Sequence, residues 1–150
     1  MPQIRVEPYD APPAKALIGA LSAEIQERYG PEQYAAVDPA VFAPPGGVFL
    51  VASVGGEAAG CGGFRRIDDG VAEVHRMYVA PAHRRAGVAR ALLAELEEHA
   101  RRAAYTQMRL ETGTLQPEAI ALYRSAGWDR IPCFFPYVVY DNSVCFSKRL

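Results

Sequence analysis

Three strand-like runs joined by two tight turns constrain this chain more than any other feature. Val48–Val54 is rich in β-branched residues and ends at Gly55-Gly56. Residues 58–67 follow and end at Asp69-Gly70, and Val71–Val79 comes third. Short glycine-bearing turns between apolar runs close β-hairpins, so these residues are expected to form an antiparallel meander. The period then changes. Pro81-Ala82-His83-Arg84-Arg85-Ala86-Gly87 is a loop, and from Val88 the apolar positions Val88, Leu92, Leu96 and Ala100 recur every four residues. That spacing predicts a helix over residues 88–104, with Arg90, Glu95, Glu97, Glu98, Arg101 and Arg102 on its solvated side.

The flanks extend this into a mixed α/β domain. Residues 4–6 read as a short strand. Pro12 and Pro13 open a helix with Leu17, Leu21 and Ile25 on one face, which Gly30 and Pro31 close. Residues 31–47 carry four prolines and two glycines, and are expected to loop, with at most a short helix near residues 33–37. Residues 108–112 read as a strand and Pro117–Ser125 as a helix with proline in its first turn, stopped by Gly127. Residues 128–131 and 144–149 supply the last strands. The order β-α-loop-β-β-β-α-β-α-β-β, without repeat or linker, is expected to make residues 1–150 a single domain.

Charge excludes some partners. The net charge of −1 argues against a dedicated nucleic-acid binder, which needs a large basic surplus. Residues 1–80 carry 6 basic and 10 acidic side chains and residues 81–150 carry 10 and 7, so the positive side lies in the second half. Cys61, Cys133 and Cys145 form no Cys-x-x-Cys pair. Their odd count suggests neither a disulfide framework nor a metal site. The N-terminus lacks a basic stretch followed by an apolar one, and no apolar run approaches a membrane span. The expectation is a reduced cytoplasmic protein without a membrane partner.

Chemistry concentrates where the helix at Val88 begins. A helix N-terminus leaves backbone N–H groups free and attracts anions. Gly87, with small Ala86 and Ala89, lets an anion approach the backbone, and residues 81–90 hold three arginines and no acid. The residues alone leave two readings open, a pyrophosphate cradle or an ordinary solvated helix start. No Gly-Lys-Ser/Thr or Gly-x-Gly-x-x-Gly occurs, so neither nucleotide fingerprint applies.

Arg84-x-x-Gly87-x-Ala89, preceded by Glu73-Val74-His75-Arg76-Met77-Tyr78-Val79, resembles the first signature motif of the GNAT superfamily of acetyl-CoA-dependent N-acetyltransferases. Downstream, Ala119-Ile120-Ala121-Leu122-Tyr123-Arg124-Ser125-Ala126-Gly127-Trp128 is similar to the family's second motif. The element order over residues 3–150 agrees with the family fold: a mostly antiparallel sheet flanked by helices, with two strands splayed into a slot.

The resemblance implies a donor site for acetyl-CoA and no metal. The amides of Arg85, Ala86, Gly87, Val88 and Ala89, with the Arg84 side chain, would hold the pyrophosphate. The edge carrying Met77, Tyr78 and Val79 would pair with the pantetheine as an added strand. Gln116 stands where many members have Asn. Tyr123 matches the family's general-acid tyrosine, against the reading of a core tyrosine beside Leu122. Glu73 leads as general base and shares a strand face with His75 and Met77 at period two. Its other reading is a cross-strand partner for Arg65 or Arg66; His75, Glu111 or ordered water are the alternative bases. The acceptor pocket would be lined by residues 31–47 and by Phe134, Phe135, Tyr137 and Tyr140, a run whose other reading is core packing or a dimer contact.

The implied reaction is acetyl transfer to a primary amine of a small molecule or peptide terminus, by direct attack in a ternary complex. No cysteine lies in either motif to carry the acetyl group. The rival readings are a non-catalytic acyl-CoA sensor and a protein-modifying acetyltransferase. The resemblance also allows a homodimer.

Overall fold

The computed structural model describes residues 1–31 and 36–150. Ten elements follow in chain order: β1 (Gln3–Val6), α1 (Pro12–Tyr29), β2 (Val48–Val54), β3 (Glu57–Asp68), β4 (Val71–Val79), α2 (Val88–Arg102), β5 (Gln107–Gly113), α3 (Pro117–Ser125), β6 (Asp129–Ile131) and β7 (Ser143–Arg149). The strands form one sheet in the order β1-β2-β3-β4-β5-β7-β6. Every neighbouring pair is antiparallel except β4 and β5. The mixed α/β class and the order of elements are those read from the sequence.

Apolar faces explain the layering. On one side of the sheet Val88, Leu92, Leu93, Leu96 and Ala100 of α2 pack against Leu50, Phe64, Val74, Met108 and Leu110. Burying each such leucine contributes roughly 1.5–3 kcal/mol. Tyr123 of α3 and Trp128 join this cluster. On the other side Leu17 and Leu21 of α1 pack with Phe42, Phe49, Val51 and Cys61, and Ile25 lies against them. The predicted stripe of α1 is therefore the one that is buried.

Three sequence-based expectations change. Glu97 is buried, not solvated: its carboxylate accepts from the Trp128 indole at 3.3 Å and pairs with Lys148 at 2.8 Å. Position 97 lies one turn beyond Leu93, on the packed flank of α2, and these two partners make the charge tolerable there. Cys133 and Cys145 are joined as a disulfide, and Cys61 alone is a free, buried thiol. Ile131 of β6 lies opposite Cys145 of β7, so Cys133 leaves the strand within reach of Cys145. That proximity comes from strand register, which cysteine counting does not contain. In the 31–47 loop, a 3-10 turn forms at Pro39–Phe42, capped by the Asp38 carboxylate accepting from the Ala40 amide. Residues 33–35 of the expected short helix lie outside the described residues. Among the described residues no helix is long and apolar enough to cross a membrane.

Candidate active site

The parallel pair β4/β5 is hydrogen-bonded only from Val71↔Gln107 to Val74↔Leu110. Beyond that point β4 runs on to Val79 and β5 to Gly113 without pairing each other. The sheet opens there into the slot that the resemblance implied. A cavity of about 400 Å³ occupies the opening, lined among others by His75, Met77, Glu111, Thr112, Gln116 and Tyr123.

A β-bulge shapes the β4 wall. Cys61 lies opposite Tyr78 and Gly63 opposite His75, so β4 carries one more residue than β3 across this stretch. Arg76 sits in the bulge at φ 61, a left-handed conformation that costs a non-glycine residue about 1 kcal/mol or more. The extra residue reverses alternation. His75 meets Phe42, and Arg76 donates from Nε to the Tyr9 hydroxyl at 3.3 Å, both on the α1 side. Met77 packs beneath Gly62 toward Leu96 on the α2 side. The expected face shared by Glu73, His75 and Met77 is therefore broken at Met77, because period-two alternation does not survive a bulge.

Glu73 lies in a row across the sheet, with Arg65 of β3 on one side and Arg109 of β5 on the other. Its Oε1 accepts from Arg65 Nε and Nη2, each at 3.2 Å, and lies 2.7 Å from His75 Nε2. Burial opposes the charge, but His75, the Tyr137 hydroxyl and Arg65 outweigh it and hold the carboxyl below its usual value. The pairing with Arg65 is the cross-strand partnership that the sequence left open.

Glu111 stands across the opening in the reverse situation. Its Oε2 accepts from the Ser143 hydroxyl at 2.7 Å. Burial, with the Glu73 charge adding, pushes its carboxyl up to about 7 against that hydrogen bond. Tyr123 lines the same cavity, its ring 5.8 Å from that of Phe146 and 6.1 Å from that of Trp128. Burial, and then the Glu111 charge, push its phenol up, which keeps a proton on the hydroxyl. Cys61 is sealed in the core with its thiol pushed up to about 12 by burial, and is no nucleophile.

The loop before α2 bends through Arg85 at φ 63 and Gly87 at φ 80. Gly87 is the residue before the helix, and nothing lies within 4 Å of where its Cβ would be. No acid occupies the first turn of α2. Arg84 lies against the end of β4 and α1. Its Nε donates to the Val79 carbonyl at 2.9 Å, its Nη2 pairs with Glu24 at 2.7 Å, and its guanidinium lies over the Tyr78 ring. The side chain braces the loop against the end of β4. Gln116 is similarly engaged: its Oε1 accepts from the Gly113 amide at 3.2 Å and from Tyr29 at 3.3 Å.

Residues 14–128 match the sequence-family model described as the Acetyltransferase (GNAT) family. The chain belongs to the GNAT family. An IAA acetyltransferase of Azospirillum brasilense is 39% identical over 136 residues, covering 89% of this chain and 88% of that one. A solved structure from Klebsiella pneumoniae, assigned as an acyl-CoA N-acyltransferase, superimposes with a TM-score of 0.85. It is 34% identical and covers 100% of this chain and 98% of that one. The PaiA N-acetyltransferase of Thermoplasma acidophilum, solved in complex with coenzyme A, shares the fold at a TM-score of 0.73 and 14% identity, with 99% of each chain covered.

Several residues on this cavity escaped the sequence reading. Tyr29, from the end of α1, donates to Gln116 and accepts from the Leu115 amide at 3.1 Å. A Cβ on Gly113 would collide with its hydroxyl, so that glycine admits the contact. Ser143 and Arg76 were missed as well. Only Arg76 left a signal, three residues after Glu73 within the first motif.

Proposed function

We propose that this GNAT chain transfers the acetyl group of acetyl-CoA to a primary amine of a small molecule or peptide terminus, by direct attack in a ternary complex. The observation that carries the reading is the β4/β5 opening, with Glu111 and Tyr123 on one cavity and the acid-free start of α2 nearby. The amides of residues 85–89 at the start of α2 suit a pyrophosphate, and Gly87 leaves the approach clear. The edge of β4 at Met77, Tyr78 and Val79, unpaired with β5, suits the amide groups of a pantetheine arm.

Acetyl transfer needs a proton removed from the amine, a donor for the thioester oxygen, and a proton for the departing thiolate. A primary amine with a pKa of ~10.4 is mostly protonated near neutrality. Glu111, with its carboxyl pushed up to about 7, is better matched to accept that proton than Glu73, whose carboxyl is held low. Glu73 then serves to fix His75 and Arg65. An amide of the unpaired β4 edge meets the developing negative charge on the thioester oxygen. Tyr123 keeps its proton until the thiolate leaves, then supplies it.

The test is acetyl-CoA-dependent thiol release across a panel of primary amines. Release that requires both acetyl-CoA and an amine supports the reading. Donor binding without release for any amine returns the chain to the acyl-CoA sensor.

A further inference from the structure

We propose, resting on the acetyl-transfer reading, that Ser143 is a positioning residue for the reaction: its hydroxyl fixes one oxygen of the Glu111 carboxylate and leaves the other to the acceptor amine. Strand register brings the two side chains together. Glu111 of β5 lies opposite Cys145 of β7 and Gly113 lies opposite Ser143, so Glu111 and Ser143 are diagonal neighbours. Residues two apart share a face of the sheet, and diagonal side chains on that face are within reach of each other. The Ser143 hydroxyl donates to Glu111 Oε2 at 2.7 Å, and both residues line the cavity. The other oxygen, Oε1, has no hydrogen-bond partner among the described residues. The donor itself is held by backbone: β7 pairs with β5 from Ser143 onward, and just before it the Thr114 amide donates to the Asn142 carbonyl at 2.9 Å.

The other groups around Glu111 leave this task to Ser143. From β4, Glu73 only repels it, and both His75 of β4 and Arg65 of β3 are paired with Glu73. Tyr29 of α1, Tyr123 of α3 and Tyr137 of the loop before β7 are phenols whose burial keeps their protons on. Arg76 and Tyr140 complete the charged and titratable side chains on the described lining. Among the described residues, Ser143 is the one that donates a hydrogen bond to Glu111. A glutamate side chain samples many rotamers when unrestrained, yet a base works only within hydrogen-bond reach of the proton it takes. The serine bond supplies that restraint. It also favours the charged, proton-accepting form against the burial that opposes it.

Two readouts on the full chain test this, one of them without turnover. The Glu111 carboxyl is titrated by carbon-13 NMR in the ligand-free protein, its signal assigned with Glu111→Gln. In the thiol-release assay, kcat and kcat/KM for the best amine are followed against pH. We expect Ser143→Ala to move the Glu111 titration and the limb of the rate profile upward together by about one pH unit. On the alkaline plateau kcat should fall about tenfold or more, with acetyl-CoA affinity unchanged. Ser143→Thr keeps the hydroxyl and should hold both titration and limb near their native positions. Ser143→Val, close to threonine in shape, should repeat the alanine result and serves if Ser143→Ala fails to fold. A Glu111 titration that stays in place without the hydroxyl overturns the proposal, as does a shifted titration with the native limb and plateau. Absence of release with every amine defeats the acetyl-transfer reading itself; release with a limb unmoved in Ser143→Ala and Ser143→Val defeats only the role of Ser143.

Discussion

Glu73 and His75 stand two residues apart on β4, and their side chains meet with Glu73 Oε1 2.7 Å from His75 Nε2. The same oxygen accepts from Arg65, and Arg109 lies in register on the other side. A carboxylate so enclosed is a counter-ion first. Removing one partner of a buried charge cluster leaves the others unpaired, at a cost of about 3–5 kcal/mol. Glu73→Gln is therefore expected to lower the unfolding free energy by roughly 3 kcal/mol, read by urea denaturation. Unchanged stability with abolished turnover in the Glu73→Gln variant would make Glu73 the base instead.

Glu111 carries the opposite signature, which pH can read. If it accepts the amine proton, kcat/KM rises through a limb near pH 7, set by the raised carboxyl. Glu111→Gln is expected to remove that limb and lower kcat at least 100-fold. A limb that survives in the variant assigns it to another group.

The same shift links Glu111 to folding. Its folded-state pKa lies above the unfolded value, so its favourable contribution is complete below about pH 4.5 and is lost as pH rises to about 7. The difference is on the order of 3 kcal/mol. Glu111→Gln should melt at a higher temperature than the native protein at pH 8 and show no such loss between pH 4.5 and 7. Glu73 has the reverse sign: its contribution is present above the ordinary carboxylate pKa and is lost as pH falls through the lowered one.

Tyr123 packs in the core and also lines the cavity. Tyr123→Phe preserves the ring contacts with Trp128 and Phe146 and removes only the proton donor. Turnover should fall about 100-fold or more with acetyl-CoA affinity unchanged, as expected of a lost general acid. Equal turnover would leave the residue a core tyrosine.

The Cys133–Cys145 bridge spans 12 positions and closes the loop carrying Pro136, Tyr137 and Tyr140 of the cavity wall. A closed loop of that size contributes about 3 kcal/mol. Adding a dithiol reductant should lower the melting temperature, and Cys145→Ala should do so without reductant. No change with either would show that the bridge contributes nothing to stability.

Much of the scaffold was legible because its punctuation is local. The boundaries of β2, β4 and α3 coincide with those read from Gly55-Gly56, Asp69-Gly70, Pro117 and Gly127. The two motifs likewise pointed to the opening between β4 and β5 before any register was known. What stayed hidden depends on two segments meeting. The bulge at Arg76 exists only in the register of β4 against β3, and the cysteine bridge only in that of β6 against β7. Arg84 was visible as a charge, but its turn toward Val79 and Glu24 needed α1 in place. Glu73 and Glu111 look alike in the sequence; neighbours from β3, β5 and β7 separate them.

Acetyl-CoA is expected to lie in the β4/β5 opening with its pyrophosphate on the start of α2. Titrating the protein with acetyl-CoA while following backbone amide resonances by NMR tests this directly. Saturable shifts are expected to concentrate at Arg85, Ala86, Gly87, Val88 and Ala89 and along β4 from His75 to Val79. Saturable binding that leaves both groups of amides unmoved, or no binding at millimolar acetyl-CoA, would contradict it.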